Sequence, residues 1–164
     1  MDDLRDAFIQ AMSRAAATVS VVTTDGPAGL AGVTVSAMTS VSADGAAPTM
    51  LICINKDASA ARPILDNGVF AINVLEAGQQ RIADLFAGRA GASGAERFAG
   101  LEIETMATGA PILPGLAAFD CDLQDVDPIG THHVILGAVR AVRSSDTGTP
   151  LIYGMRSYLR AERA

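Results

Sequence analysis

The sequence predicts an all-β fold, an antiparallel barrel that is closed or half closed and carries a few peripheral helices. Many short β-branched or apolar segments follow one another, separated by turns rich in Gly, Pro and Asp. Most of these segments lie too close together for repeated β-α-β units, which favours antiparallel pairing. At 164 residues, the chain is expected to form a single domain over 1–164 with a sizeable core.

The first part of the chain predicts one amphipathic helix followed by strands. Residues 2–16 carry Leu4, Phe8 and Met12 at helical spacing, which makes one apolar stripe. The β-branched and apolar segments that follow predict strands at 18–24, 32–42, 49–55 and 69–75. The strand at 49–55 is almost continuously apolar, as expected for a strand inside a sheet.

The rest of the chain predicts short helices and then a strand-rich end. Residues 56–67 predict a short helix or turn with Asp57 or Ser59 as its N-terminal cap. A second helix is expected at 77–87, and a short helical piece near 96–98. The remaining strands are expected at 116–126, 131–142, 150–153 and 157–159, with a turn at 127–130 between the first two.

The most informative segment is 32–42, in which apolar residues alternate with Thr34, Ser36, Ser40 and Ser42. A period of two predicts one strand with a core-facing side and a hydroxyl-bearing side. A dense row of hydroxyls beside a glycine suits a surface that binds a polar ligand. The other interpretation is a Ser/Thr-rich edge strand that faces water.

Composition excludes several classes of protein. A hydrophobic content of 49% and a mean hydropathy of +0.31 argue against disorder. A net charge of −6 and an aromatic content of 4% argue against a nucleic-acid partner. No apolar run approaches the ~18 residues of a membrane span, and the acidic start lacks signal-peptide features, so we expect a cytoplasmic protein with no membrane partner. Cys53 and Cys121 lie in apparent strands and predict buried, reduced thiols.

Phosphate-loop, dinucleotide-turn and nucleophile-elbow motifs are absent from the sequence. His132 and His133 are neighbours on a predicted strand, so they point to opposite faces and predict no metal site. Asn55 and Lys56 follow the apolar strand at 49–55, where Lys can neutralise a phosphate and Asn offers both donor and acceptor. The alternatives are an ordinary exposed lysine and a structural histidine.

Taken in order, several segments resemble the flavin reductase-like family. They are AGVTVSAMTSVS at 31–42, PTMLICINK at 48–56, GTHHVILG at 130–137, PLIY at 150–153, and Tyr158. Members are reductase components of two-component flavin-dependent monooxygenases, and their fold is the FMN-binding split barrel, a Greek-key antiparallel barrel. The opening half is most similar to the reductases of bacterial pyrimidine degradation. Thr131 departs from the family, which usually has Asp there, and Val35 stands where Ala is more frequent.

The resemblance implies a homodimer that oxidises NADH or NADPH and reduces FMN or FAD for a partner monooxygenase. It implies that His132 faces the nicotinamide and orders it, with no obligatory proton transfer. The residues implied to bind the flavin are Thr34, Val35, Ser36, Ala37, Ser40, Val41, Asn55, Lys56, Ser59 and Arg62.

Two other functions fit the same residues. A flavin carrier or sensor without turnover would use the same hydroxyl row. An enzyme similar to pyridoxamine-phosphate oxidase would need a second phosphate site, for which only a few arginines near the C-terminus are available. These are Arg140, Arg143, Arg156 and Arg160.

Overall fold

The computed structural model describes the backbone of residues 2–164 and the side chains of residues 3–164. The helices are α1 (Asp2–Met12), α2 (Ala61–Asn67) and α3 (Gln80–Phe86), with a 3₁₀-helix at Gly94–Phe98. The strands are β1 (Ala17–Thr18), β2 (Ser20–Thr24), β3 (Ala31–Val35), β4 (Met38–Ser42), β5 (Thr49–Asn55), β6 (Val69–Val74), β7 (Glu104–Thr105), β8 (Pro111–Ile112), β9 (Ala117–Ile129), β10 (His132–Ser144), β11 (Leu151–Gly154) and β12 (Ser157–Arg160).

Seven of these strands form one antiparallel sheet in the order β3-β2-β6-β9-β10-β5-β4. Although β3 and β4 are its two edges, only Ser36 and Ala37 separate them in the chain. The sheet therefore curls until its edges meet, and the backbone N–H of Cys53 in β5 donates to the carbonyl of Ala37 at 3.1 Å. β3 pairs only with β2 among the described residues. The barrel is thus closed by a connection rather than by a ladder, which confirms the predicted split barrel.

Two apolar clusters hold the barrel and its helices together. Inside the barrel, Ile52, Phe70 and Ile135 are fully buried. A second cluster lies outside it, where Phe86 of α3 and Phe98 of the 3₁₀-helix meet edge to face at 4.9 Å and 75°. Since each such side chain contributes about 1.5–3 kcal/mol when fully buried, the second cluster fixes α3 firmly against the barrel wall.

The prediction of one continuous strand over 32–42 is wrong. The segment forms β3 and β4, which pair with β2 and β5 at opposite edges of the sheet. A register shift between Ser40 and Ser42 marks a bulge in β4. As a result, Val41 is 54% exposed rather than directed into the core.

Other predicted elements are confirmed with shifted ends. α1 ends at Met12 rather than at 16, and α2 begins at Ala61 with Ala60 as a cap that makes no side-chain hydrogen bond. Asp57 and Ser59 therefore do not cap it. β9 continues to Ile129, so the predicted turn at 127–130 shrinks to two residues.

The two cysteines are free thiols. Cys121 is buried, as predicted, whereas Cys53 is only half-buried. Burial, followed by the charges of Asp120 and Asp122, raises the pKa of the Cys121 thiol to about 12. Burial also raises the pKa of Cys53. Both thiols are therefore held in their protonated, unreactive form. No helix within residues 2–164 is long and apolar enough to cross a membrane.

Candidate functional site

The hydroxyl-bearing strand β3 is clamped from outside by α3 and the 3₁₀-helix. A Cβ on Gly32 would lie 2.7 Å from Cε1 of Phe86, so only glycine lets this ring lie against the strand. One guanidinium nitrogen of Arg97 donates to the carbonyls of both Gly32 and Phe86 at 3.3 Å. The hydroxyl of Thr34 donates to the carbonyl of Ala83 at 2.7 Å. These contacts fix the backbone from Gly32 to Thr34 in front of a cavity.

Where β3 passes into β4, the chain borders a groove made of three adjoining cavities, here called the Ser36 groove. The inner cavity has a volume of about 170 Å³ and includes Thr34, Val35, Ser36, Arg89, Tyr153 and Tyr158 in its lining. The middle cavity, of about 330 Å³, shares Ser36 and Tyr153 with it and adds Ala37. The outer cavity, of about 480 Å³, lies between α1 and the β11–β12 turn.

The far wall of the inner cavity is a polar cluster. The Tyr158 hydroxyl donates to Oδ1 of Asp84 at 2.6 Å, and Arg89 donates to the same oxygen at 3.0 Å. Burial, and then the bond to Asp84, raises the pKa of Tyr158 to about 12. The Tyr158 bond, ahead of the Arg89 bond, lowers the pKa of Asp84. The cluster therefore presents a fixed guanidinium and an aromatic pair, since Tyr153 packs edge to face on Tyr158 at 5.6 Å.

Asn55, Lys56 and His132 meet at the end of β5. Asn55 and His132 are directly opposed in the β5–β10 ladder, and the backbone N–H of Lys56 donates to the carbonyl of Thr131 at 2.9 Å. The Lys56 ammonium donates to the carbonyl of Gly130 at 2.7 Å, which leaves two of its three protons free. This corner is exposed, and its lysine has no ion-pair partner among the side chains of residues 3–164.

The two histidines point to opposite faces of β10, as strand alternation predicts. His132 lies on the outer face, and its Nδ1 lies 2.9 Å from the Thr131 hydroxyl. His133 is half-buried on the inner face opposite Ile54, and its Nδ1 is buried with no hydrogen-bond partner among the described residues. Thr131, which stands where the resemblance predicts Asp, therefore orients the His132 ring through this contact.

The structure brings the predicted residues together in two groups rather than one. Thr34, Val35, Ser36 and Ala37 line the groove. Asn55, Lys56 and His132 lie beside that segment, since Ala37 is bonded to Cys53 two residues before Asn55. They do not line the groove itself. The side chains of Ser40, Val41 and Ser59 are exposed, and Arg62 is tied to Asp66 within α2 at 2.7 Å.

Sequence reasoning missed part of the site, namely Asp84, Arg89 and the inward role of Tyr153 and Tyr158. The two tyrosines fall in segments that carry the family resemblance, so a signal for them existed. Arg89 lies in a Gly/Ala-rich stretch without any local signal, and only the fold brings it opposite Thr34.

The donors that remain free fit a flavin and a nicotinamide nucleotide. The exposed Ser36 hydroxyl makes no hydrogen bond to the described residues, and it lines both the inner and the middle cavity. Backbone and hydroxyl hydrogen-bonding groups that lie beside an aromatic pair suit a flat ring system with hydrogen-bonding atoms along its edge. The free protons of Lys56 suit a phosphate. Among the described residues, no group of three or more His, Cys, Asp or Glu side chains is placed to hold a metal ion.

Comparison with known proteins agrees with this geometry. The family described as "Flavin reductase like domain" matches residues 12–162. This chain belongs to that family. The FMN reductase (NADH) RutF 2 of Methylorubrum extorquens (strain PA1) is 45% identical over 153 residues, which cover 93% of this chain and 87% of the relative.

Solved structures of flavin reductases share the fold of this family member. BorF, the flavin reductase component of a bacterial two-component tryptophan halogenase, superposes with a TM-score of 0.87 at 30% identity, covering 98% of this chain and 99% of BorF. The NADH:FAD oxidoreductase SgcE6 of Streptomyces globisporus, in complex with NAD and FAD fragments, gives a TM-score of 0.85 at 26% identity, covering 96% and 93%.

Proposed function

We propose that this protein is an NAD(P)H:flavin reductase that supplies reduced FMN or FAD to a partner monooxygenase. The observation that carries the proposal is the Ser36 groove, whose wall is the 34–37 segment, in a chain 45% identical to an FMN reductase (NADH) over 93% of its length. The flavin, when bound, accepts a hydride from the nicotinamide. The protein's task is then to place two ring systems in contact.

Each group of residues has a proposed part in that placement. The backbone and hydroxyls from Thr34 to Ala37 bind the edge of the flavin ring. Because the Thr34 proton is already donated to Ala83, Thr34 can only accept a hydrogen bond there. Ser40 and Val41 lie beside the flavin in this proposal, and His132 orders the nicotinamide. Since no side chain has to transfer a proton, stacking and distance determine the rate.

The flavin phosphate is assigned to the corner at the end of β5. Lys56 supplies charge there, while Asn55 and Ser59 supply hydrogen bonds. Arg62 already donates from Nε to Asp66 at 2.7 Å, which raises the pKa of Arg62, so only the N–H groups of its two terminal nitrogens are left for the phosphate. Exposure of the whole corner fits a flavin that binds reversibly and leaves for a second enzyme.

The deciding experiment follows nicotinamide absorbance after NADH and FMN are added to the purified protein. We expect NADH loss well above a protein-free control, and a two-by-two comparison of FMN or FAD with NADH or NADPH ranks the pairs. Flavin binding without NADH loss would instead identify a carrier or sensor. Of the four arginines that the oxidase alternative could use, Arg140 and Arg143 are paired with Asp122 and Glu104, which leaves it Arg156 and Arg160.

The assembly and location of the protein are also proposals. A homodimer is supported by the exposed apolar side chains of α1, Leu4, Phe8 and Met12. A cytoplasmic location is supported by the need for NADH and by two unpaired thiols. Sedimentation measures the first, and cell fractionation measures the second.

A further inference from the structure

The outer cavity of the Ser36 groove has no part in the function proposed so far. It shares Ser13 and Arg156 with the middle cavity, so the groove continues from Tyr153 to α1 without interruption. With a volume of about 480 Å³, it is the most spacious of the three cavities. Two guanidinium groups, from Arg14 and Arg156, line it.

The backbone holds these two arginines side by side. The N–H of Met155 donates to the carbonyl of Ser13 at 2.5 Å, which joins the residues immediately before Arg156 and Arg14. Met155 and Arg156 form the tip of the β11–β12 hairpin with φ of 50° and 59°, a left-handed turn usually built from Asn and Gly. An arginine in this disfavoured backbone conformation points to a functional role.

Neither arginine has an anionic partner among the side chains that the structure describes. The ion pairs among the side chains of residues 3–164 involve Arg5, Arg62, Arg89, Arg140 and Arg143. Among the side chains of residues 3–164, Asp6 is the one carboxylate in the lining of the outer cavity, and it lies 3.5 Å from Arg5. The cavity therefore carries an excess of positive charge in a chain of net charge −6.

We propose that Arg14 and Arg156 form a phosphate subsite for a dinucleotide whose other half lies at Ser36 and Tyr153. The proposal rests on the proposed function and extends it to a specific part of the ligand. Guanidinium groups recognise phosphate by paired hydrogen bonds, and two of them suit a pyrophosphate. The phosphate has two possible sources, the pyrophosphate of the nicotinamide dinucleotide and the adenylate phosphate of FAD, whose flavin-side phosphate is assigned to Lys56.

The test uses ADP as a probe and measures its binding by calorimetry, independently of turnover. We expect Arg14→Gln and Arg156→Gln each to weaken ADP binding several-fold, and the double variant to weaken it about tenfold or more. Arg156→Lys keeps the charge and should retain part of the affinity. Arg163→Gln, the same charge change outside the groove, should bind ADP as the parent does. Removing the opposing carboxylate by Asp6→Asn should tighten binding.

Two further arms identify the source of the phosphate. If the double variant raises the KM for NADH but not for reduced nicotinamide mononucleotide, the subsite holds the nicotinamide dinucleotide. If it weakens FAD but not FMN, the subsite holds the adenylate half of FAD. Unchanged ADP affinity in a folded double variant overturns the subsite, even with reductase activity intact. If the parent protein does not oxidise NADH but its ADP binding depends on the two arginines, the proposed function is overturned instead.

Discussion

At the scale of single residues, the wall of the inner cavity depends on one carboxylate shared between two donors. Oδ1 of Asp84 accepts from both Tyr158 and Arg89. Because a phenol donor and a guanidinium both favour the charged carboxylate, Asp84 stays ionised and keeps Arg89 directed at the groove. Loss of the Tyr158 donor should therefore loosen the position of Arg89.

Tyr158→Phe tests this cluster through its pKa values. The Asp84 pKa, lowered chiefly by Tyr158, should rise toward the ordinary 3.8, measured by carboxyl NMR titration. The pKa of Tyr158 is about 12 in the folded protein instead of 10.0. Between these two pH values the folded parent keeps the phenol proton that the unfolded chain loses, so its free energy of unfolding falls as the pH rises. The variant should lack that decline, and should lose the part of the stability above the unfolded Asp84 pKa that comes from the Tyr158 bond, since Arg89 remains bonded to Asp84. Tyr153→Phe serves as the control, because Tyr153 does not bond Asp84.

Lys56 is the only lysine of the chain, and its substitution tests the proposed phosphate corner. Lys56→Ala should weaken FMN binding by about 1–3 kcal/mol, the value of a charge-assisted hydrogen bond. Lys56→Arg keeps the charge and should lose less. Flavin fluorescence quenching measures both, and an unchanged affinity in Lys56→Ala would remove this residue from the site.

His132→Ala separates nicotinamide binding from flavin binding. We expect the KM for NADH to rise more than the Kd for FMN, because His132 is assigned to the nicotinamide side. Thr131→Val removes the contact to Nδ1 at 2.9 Å and should give a smaller change in the same direction, through orientation of the ring. If FMN affinity collapses in His132→Ala, the assignment is wrong.

At the scale of elements, local patterns located most strands and missed how they are joined. The apolar run of β5 and the β-branched run of β2 are readable because each lies inside the sheet between the same two neighbouring strands. The 32–42 segment keeps a period of two while the chain changes edges at Ser36 and Ala37. Alternation reports which side of the backbone is polar, and it carries no information about which strand lies beside it.

Gly32→Ala tests how α3 holds β3 in place. The added methyl group would lie 2.7 Å from Cε1 of Phe86, so the ring must move, and overpacking of this kind costs about 1–3 kcal/mol. Phe86→Leu makes room but loses the contact with Phe98. Urea unfolding should show the double variant destabilised by less than the sum of the single variants. Additive effects would mean that Phe86 does not limit this position.

At the scale of the whole molecule, the site was only partly readable from the sequence. Thr34 and Ser36 were predictable because their hydroxyls sit at strand spacing, whereas Val35 and Ala37 were implied only by the family resemblance. The partners that complete the cavity, Arg89 and Tyr158, are 55 and 124 positions away from Thr34 in numbering, and only the packing of α3 and β12 outside the barrel brings them together. A groove between distant segments has no local pattern, so its members appear only once the fold is known.

Helix α1 exposes an apolar stripe on the surface of the molecule. Leu4, Phe8 and Met12 lie along α1 with 79%, 64% and 53% exposure. Because an apolar stripe on a helix is stable in water only when something packs on it, we expect a second copy to cover it. Phe8→Glu should then shift the protein from dimer to monomer in sedimentation velocity, whereas Phe8→Leu should not. A parent that sediments as a monomer, or a Phe8→Glu dimer as tight as the parent, would place the interface elsewhere.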